Sequence, residues 1–196
     1  MPSLGITGGV ATGKSSFTRA LLKYLKAVVF DADQCARDLL MHDPQVQEEV
    51  LRHFGDGVET HGAIDRRKLR EIVFSDSGKR RALEQILHPR IRECWVPQAG
   101  RAAKSGEWMV ADIPLLYETG AEPYFKAVIV VACSYSTQIA RMIADRNLDR
   151  EIAEKIIASQ LDLKIKMQKG SMVVWNDSAP ECLDEQAVLI ASSLHD

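Results

Sequence analysis

Residues Gly8-Gly9-Val10-Ala11-Thr12-Gly13-Lys14-Ser15 fit Gly-x-x-x-x-Gly-Lys-[Ser/Thr], a pattern whose chemistry is the cradling of a triphosphate. Its glycines let backbone N–H groups converge on phosphate oxygens, its lysine reaches the β- and γ-phosphates, and its hydroxyl is placed to ligate Mg²⁺. Such a loop works only between a buried strand and a helix whose N-terminus faces the ligand. Leu4-Gly5-Ile6 supplies the strand, and Phe17, Ala20, Leu21 and Leu25 recur at helical spacing, predicting a helix from near Gly13 to Leu25. The candidate contacts of ATP are Gly8, Ala11, Thr12, Gly13, Lys14, Ser15 and Ser16, with Ser15 also a Mg²⁺ ligand.

Carboxylates follow two other apolar runs, where ligands of a parallel sheet collect. Phe30-Asp31-Ala32-Asp33 offers Asp33 either as the N-cap of a helix through Ala36, Leu39 and Leu40, or as a base taking the proton of an attacking hydroxyl. Val110-Ala111-Asp112 closes a hydrophobic run with an acid, either a Mg²⁺-holding carboxylate or a residue ending a strand before the Pro114 turn. Arg141, Arg146 and Arg150 lie in a segment rich in both charge signs, which is either a solvated helical pair or a lid that brings cations to the transferring phosphoryl group. Arg146 leads that set, although spacing does not choose between it and Arg141. His88, ahead of Pro89, reads as the start of a helix.

These groups need an α/β frame. Five apolar runs, Ser3–Thr7, Ala27–Phe30, Trp108–Ile113, Ala127–Cys133 and Met172–Trp175, predict buried strands of a parallel sheet, alternating with helical patterns. The expected architecture is one three-layer domain, with core sheet segments at residues 1–33, 107–135 and 170–196. A helical insertion is expected at about 34–106 and a helical lid at about 136–169. In the insertion, Pro44 opens a helix that Gly55-Asp56-Gly57 ends, and further helices are predicted over Arg66–Phe74, over Lys79–Leu87, and after Pro89 through Ile91, Trp95 and Ala99. Leu183–Leu194 reads as a closing amphipathic helix.

A net charge of −2 gives no global field suited to nucleic acid or an anionic membrane. Cys35, Cys94, Cys133 and Cys182 are too far apart for a Cys-x-x-Cys element and are expected as reduced, mostly buried thiols. With no leader pattern and no long apolar run, a cytoplasmic protein is expected. Asp-x-x-Gly and Asn-Lys-x-Asp are both absent, which argues against a GTPase-type switch.

In this order and spacing the motifs resemble the dephospho-coenzyme A kinases along nearly the whole chain. The resemblance is carried by Thr7-Gly8-Gly9 leading to Gly13-Lys14-Ser15, by Asp31-Ala32-Asp33 with Ala36-Arg37, and by Leu87-His88-Pro89. It continues through Asp112-Ile113-Pro114-Leu115-Leu116-Tyr117-Glu118, then Arg146, Gln160 and Lys166, and finally Val173-Val174-Trp175-Asn176. It implies transfer of the ATP γ-phosphoryl group to the ribose 3′-hydroxyl of dephospho-CoA, with Mg²⁺, on a P-loop fold. It implies Asp33 as base, Lys14 and Arg146 as catalytic cations, and Arg141 and Asn176 on the nucleotide. Asp33, Arg37, His88, Leu115 and Glu118 would meet the acceptor, and Ser15 and Asp112 the metal. Another small-molecule P-loop kinase, for a nucleoside or a sugar acid, is the competing reading. Two departures bear on structure: Ala11 stands where the family has Gly, which calls for a negative φ there, and Gly170-Ser171 stands where Ala-Asp is common.

Overall fold

Strand β1 (Ser3–Gly8) is buried along its whole length and runs into the phosphate-loop motif, from which helix α1 (Lys14–Leu21) leaves. The computed structural model describes residues 3–60 and 62–194, with only the backbone of Phe74 and Ser77. Helix α1 ends earlier than its periodicity predicts. Leu25 is nevertheless buried, because a turn carries it back with its N–H on the Leu21 carbonyl at 2.9 Å.

The remaining elements are β2 (Ala27–Asp31), α2 (Ala32–His42), α3 (Pro44–Phe54), β3 (Glu59–Thr60), β4 (Ala63–Ile64), α4 (Arg66–Ser75) and α5 (Ser77–Lys104). After them come β5 (Trp108–Asp112), β6 (Ala127–Ala132), α6 (Tyr135–Arg146), α7 (Arg150–Ala158), α8 (Leu163–Lys169), β7 (Met172–Trp175) and α9 (Pro180–Ser193). Backbone contacts divide the chain into one unit of residues 1–30 and 98–196 and a second of residues 31–97.

The first unit is built on a five-stranded parallel sheet in the order β2-β5-β1-β6-β7. From β1 the chain moves on toward β2 at one edge, and from β6 toward β7 at the other. The connections therefore diverge beside the carboxyl end of β1, where parallel sheets place their ligands. Leu4, Ile6, Val110, Ile129, Val131 and Val174 face a core closed by Phe17 and Leu21 of α1 and Leu183, Ala187 and Ile190 of α9. Burying a side chain such as Phe17 contributes roughly 1.5–3 kcal/mol before the cost of ordering it. Not all five strands are buried as expected. Val28 and Val29 of β2 and Val173 and Trp175 of β7 are each more than a third exposed, because these strands are the sheet edges and are covered less completely than the central three.

The approach to β7 explains the Gly170-Ser171 departure. A Cβ at Gly170 would lie 2.6 Å from Cγ2 of Val130, and the Ser171 hydroxyl accepts from the Val128 N–H at 3.0 Å while its own N–H donates to the Val128 carbonyl at 2.9 Å. The segment from α6 to α8 is more than a solvated helical pair. It forms three helices, and Ile139, Met142 and Ala153 pack on Val10 of the phosphate loop.

In the second unit, Asp31, Asp43 and Asp65 cap α2, α3 and α4 by accepting backbone N–H groups, each such cap contributing about 1 kcal/mol. Val46, Val50, Phe54, Val58, Leu69 and Ile86 form its core. The antiparallel β3–β4 pair was not anticipated, since two-residue strands carry no readable alternation. The two helices expected around His88-Pro89 are one, as α5 continues through Pro89 and Pro97. Each proline removes an N–H and crowds the preceding turn. In the turn at Pro89, Arg90 Nη1 donates to the Ile86 carbonyl at 2.8 Å and Nη2 pairs with Glu49 at 2.6 Å. His88 therefore lies inside a helix rather than at its start.

Candidate active site

The phosphate loop is held by its carbonyls. Lys166 Nζ donates to Gly8 O at 3.3 Å, Thr12 Oγ1 to Gly9 O at 2.9 Å, and Gln138 Nε2 to Val10 O at 2.7 Å. Arg141 Nη1 donates to Ala11 O at 3.2 Å, Asn176 Nδ2 to Thr12 O at 2.8 Å, and the Ser16 and Phe17 N–H groups to Gly13 O at 3.0 Å. Gln160 Oε1 accepts from the Val10 N–H at 2.9 Å. With every carbonyl from Gly8 to Gly13 engaged, the peptide planes are oriented from behind. Among the described residues, the N–H groups of Ala11, Thr12 and Gly13 meet no acceptor. They are donors left for an anion.

Helix α1 adds to this field. Its N-cap is Gly13 at φ 90°, with no side chain closing the first turn, so the positive end of the helix stays open to phosphate. The left-handed φ suits glycine, and a Cβ there would fall 2.1 Å from Asn176 Nδ2. Ala11 overturns the sequence expectation, since its φ is +58° rather than negative. The loop keeps the left-handed turn that glycine would favour and bears a strain of about 1–2 kcal/mol at the methyl-bearing residue. The bonds on both sides, from Gln138, Arg141 and Asn176, hold it there.

A cavity of about 400 Å³ opens on the loop, lined by Lys14, Ser15, Arg141, Arg146, Asn176 and Leu183 among others. The arginines of the α6–α7 segment separate by structure where spacing could not separate them. Arg141 is half-buried and bonded to the loop and to the Asn176 carbonyl at 2.9 Å. Arg146 is exposed on the cavity wall. Arg150 pairs with Glu154 on the surface of α7. Gln138 went unremarked in the sequence, because a glutamine one turn into a helix carries no signal until its burial is seen.

Asp112 ends β5 in register with Ile6 of the adjacent β1, and the Ile113 N–H donates to the Ile6 carbonyl at 2.9 Å. Its carboxylate and the Ser15 hydroxyl are hard oxygen donors following neighbouring strands. No cluster of three or more His, Cys, Asp or Glu occurs among the described residues. Two oxygens without a protein cage fit Mg²⁺, which retains waters and takes its other ligands from phosphates.

In the second unit, the helix cap proves to be Asp31, whose Oδ1 accepts from the Gln34 N–H at 2.8 Å. Asp33, for which a capping role was open, lies in the first turn, exposed, with no side-chain hydrogen bond or salt bridge among the described residues. Arg37 holds the Gln34 amide with Nε at 3.0 Å. Burial lowers the pKa of His88 in α5, so it is neutral near pH 7. Leu115 lies in the turn after β5, and Glu118 there engages Lys166 at 2.7 Å and the Leu161 N–H at 3.0 Å.

All four cysteines are free thiols, but only Cys133 is fully buried. Burial pushes Cys133 up to about 11, and burial together with the Cys94 thiol pushes Cys35 up to about 12, so both stay protonated and unreactive at neutral pH.

Known proteins place this arrangement. A family model of dephospho-CoA kinases matches residues 3–181. A dephospho-CoA kinase of Fusobacterium nucleatum is 37% identical over 92% of both chains, and one of Symbiobacterium thermophilum is 41% identical over 90% of this chain and 74% of its own. Among solved structures, a protein of Thermus thermophilus superposes with TM-score 0.82 at 28% identity, covering 98% of this chain and 97% of its own. The dephospho-CoA kinase of Campylobacter jejuni superposes with TM-score 0.71 at 25% identity, over 98% and 96%. With sheet, phosphate loop and sequence in agreement over nearly the full length, the chain belongs to the dephospho-CoA kinase family.

Proposed function

We propose that the chain moves the γ-phosphoryl group of ATP to the ribose 3′-hydroxyl of dephospho-CoA, with ADP and coenzyme A as products. The observation that carries the reading is the loop from Gly8 to Gly13, whose carbonyls are all tethered while the N–H groups of Ala11, Thr12 and Gly13 have no acceptor among the described residues. Such fixed donors stabilise triphosphate charge without reorganising during the reaction. Lys14 and the exposed Arg146 supply mobile cations to the transferring group, while Arg141 and Asn176 support the nucleotide by fixing the loop. Asp33 accepts the proton of the acceptor hydroxyl, and its freedom from capping suits that task. Arg37, His88 and Leu115 bind the acceptor, and Glu118 shapes the turn that carries Leu115. Ser15 and Asp112 would hold Mg²⁺, which supplies charge neutralisation on the β- and γ-oxygens. The free thiols suit a cytoplasmic protein acting on a small molecule, and among the described residues no helix is long and apolar enough to cross a membrane.

The test is ADP release with dephospho-CoA, adenosine or pantetheine phosphate as acceptor, at one Mg²⁺ and ATP concentration. Turnover with dephospho-CoA and its loss in Lys14→Met, with the circular dichroism spectrum unchanged, are expected. Equal turnover with adenosine would point to a nucleoside kinase, and normal rates in Lys14→Met would remove the phosphate-loop assignment.

A further inference from the structure

Lys166 is an anomaly for a lysine, as its side chain is fully buried. An ammonium withdrawn from water costs several kcal/mol unless its protons and its charge are both met. Here they are. Its three protons face three acceptors: Glu118 Oε1 at 2.7 Å, Pro114 O at 3.0 Å and Gly8 O at 3.3 Å.

Those acceptors belong to different parts of the first unit. Gly8 is the last residue of β1 and the first of the phosphate loop, and Pro114 lies two residues beyond Asp112. Glu118 closes the same turn and also receives the N–H of Leu161, just ahead of α8. Thr7 Oγ1 adds a second bond to Pro114 O at 3.1 Å. Lys166 itself is on α8. One ammonium thus ties the entry of the phosphate loop, the turn after the candidate metal carboxylate and the last helix of the α6–α8 segment. A buried apolar residue of the same length would fill the space and avoid the desolvation cost, but could not fix the direction of two carbonyls.

Building on the function proposed above, we infer that Lys166, with Glu118 as its counter-ion, is a positioning residue for phosphoryl transfer. It sets the plane of the Gly8–Gly9 peptide, and with it the amides that follow, and it holds the Asp112–Glu118 turn in register with them. Neither residue touches the nucleotide in this role. The effect therefore falls on kcat rather than on ATP affinity, since a small displacement of preorganised groups can cost roughly a hundredfold in rate.

The decisive comparison uses Lys166→Met, Glu118→Leu and the double variant Lys166→Met/Glu118→Leu in the full chain, with Lys14→Met as a control. Lys166→Met leaves a carboxylate without its counter-ion and is expected to lower both Tm and kcat. The double variant removes both charges, so it is expected to recover most of the Tm while its kcat stays roughly a hundredfold down and KM for ATP changes less than about threefold. Recovery of kcat along with Tm would reduce the pair to a structural contact and overturn the inference. Loss of activity in Lys14→Met alongside such recovery would leave the phosphate-loop reading intact. Full activity in Lys14→Met would remove that reading instead.

Discussion

The phosphate loop and the first turn of α2 are built by opposite means. Each loop carbonyl from Gly8 to Gly13 has a donor, brought by α1, α6, α8, the residue after β7 or the loop itself, and two of its residues, Ala11 and Gly13, are held in left-handed conformations. The polar groups at the start of α2 are fixed mainly within the helix, by the Asp31 cap and by Gln34 linking Arg37 and Asp38 across the helix face. Asp33, between them, has no side-chain partner among the described residues. The contrast matches the roles proposed for them: stabilising triphosphate charge needs dipoles set before the ligand arrives, whereas a base must be free to meet its proton, often only once substrate is bound.

Three experiments break or sharpen that contrast. Asp33→Asn attacks the free side chain, and kcat should fall at least about a hundredfold with KM for ATP nearly unchanged; an undiminished kcat would return Asp33 to the surface. Asn176→Ala attacks the tethered loop by releasing the Thr12 carbonyl. Loss of one buried hydrogen bond, about 1–1.5 kcal/mol, should lower kcat/KM for ATP about tenfold and leave KM for dephospho-CoA alone. An equal change in both constants would show that the two regions are not separable.

Ala11→Gly gives the smallest effect. Relief of left-handed strain, about 1–2 kcal/mol, is largely offset by the added freedom of glycine in the unfolded chain, about 0.4–1 kcal/mol. A net gain of about 0.5–1 kcal/mol should raise Tm by roughly 1–4 °C, measured by thermal denaturation with and without ATP. A fall in Tm would mean that the Ala11 methyl contributes packing that outweighs its strain; it does lie against the Val10, Ile139 and Met142 cluster.

Local and strong signals were legible without coordinates. The strand-loop-helix setting of Gly8–Ser15, the five apolar runs and the helix that Pro44 opens and Gly55 closes depend on neighbours in sequence, and all occur close to where they were expected. What failed depended on partners distant in the chain. The φ of Ala11 was expected to follow from its own methyl, but is set by bonds to Gln138, Arg141 and Asn176 on either side. Proline at position 89 reads as a break, yet the helix runs through it, in a turn where Arg90 reaches Glu49 of α3 as well as the Ile86 carbonyl.

Residue types and their order along the chain were sufficient to determine an α/β sheet, a triphosphate-gripping loop and the set of carboxylates and cations available to it. Tertiary structure alone decided which of them act on one another: Arg141 on the loop and Arg146 on the cavity wall, and Lys166 buried against Gly8, Pro114 and Glu118. The reason is that hydrogen bonds and desolvation act over a few ångströms of space. Separations of well over a hundred residues, such as that between Lys166 and Gly8, are closed only by the fold.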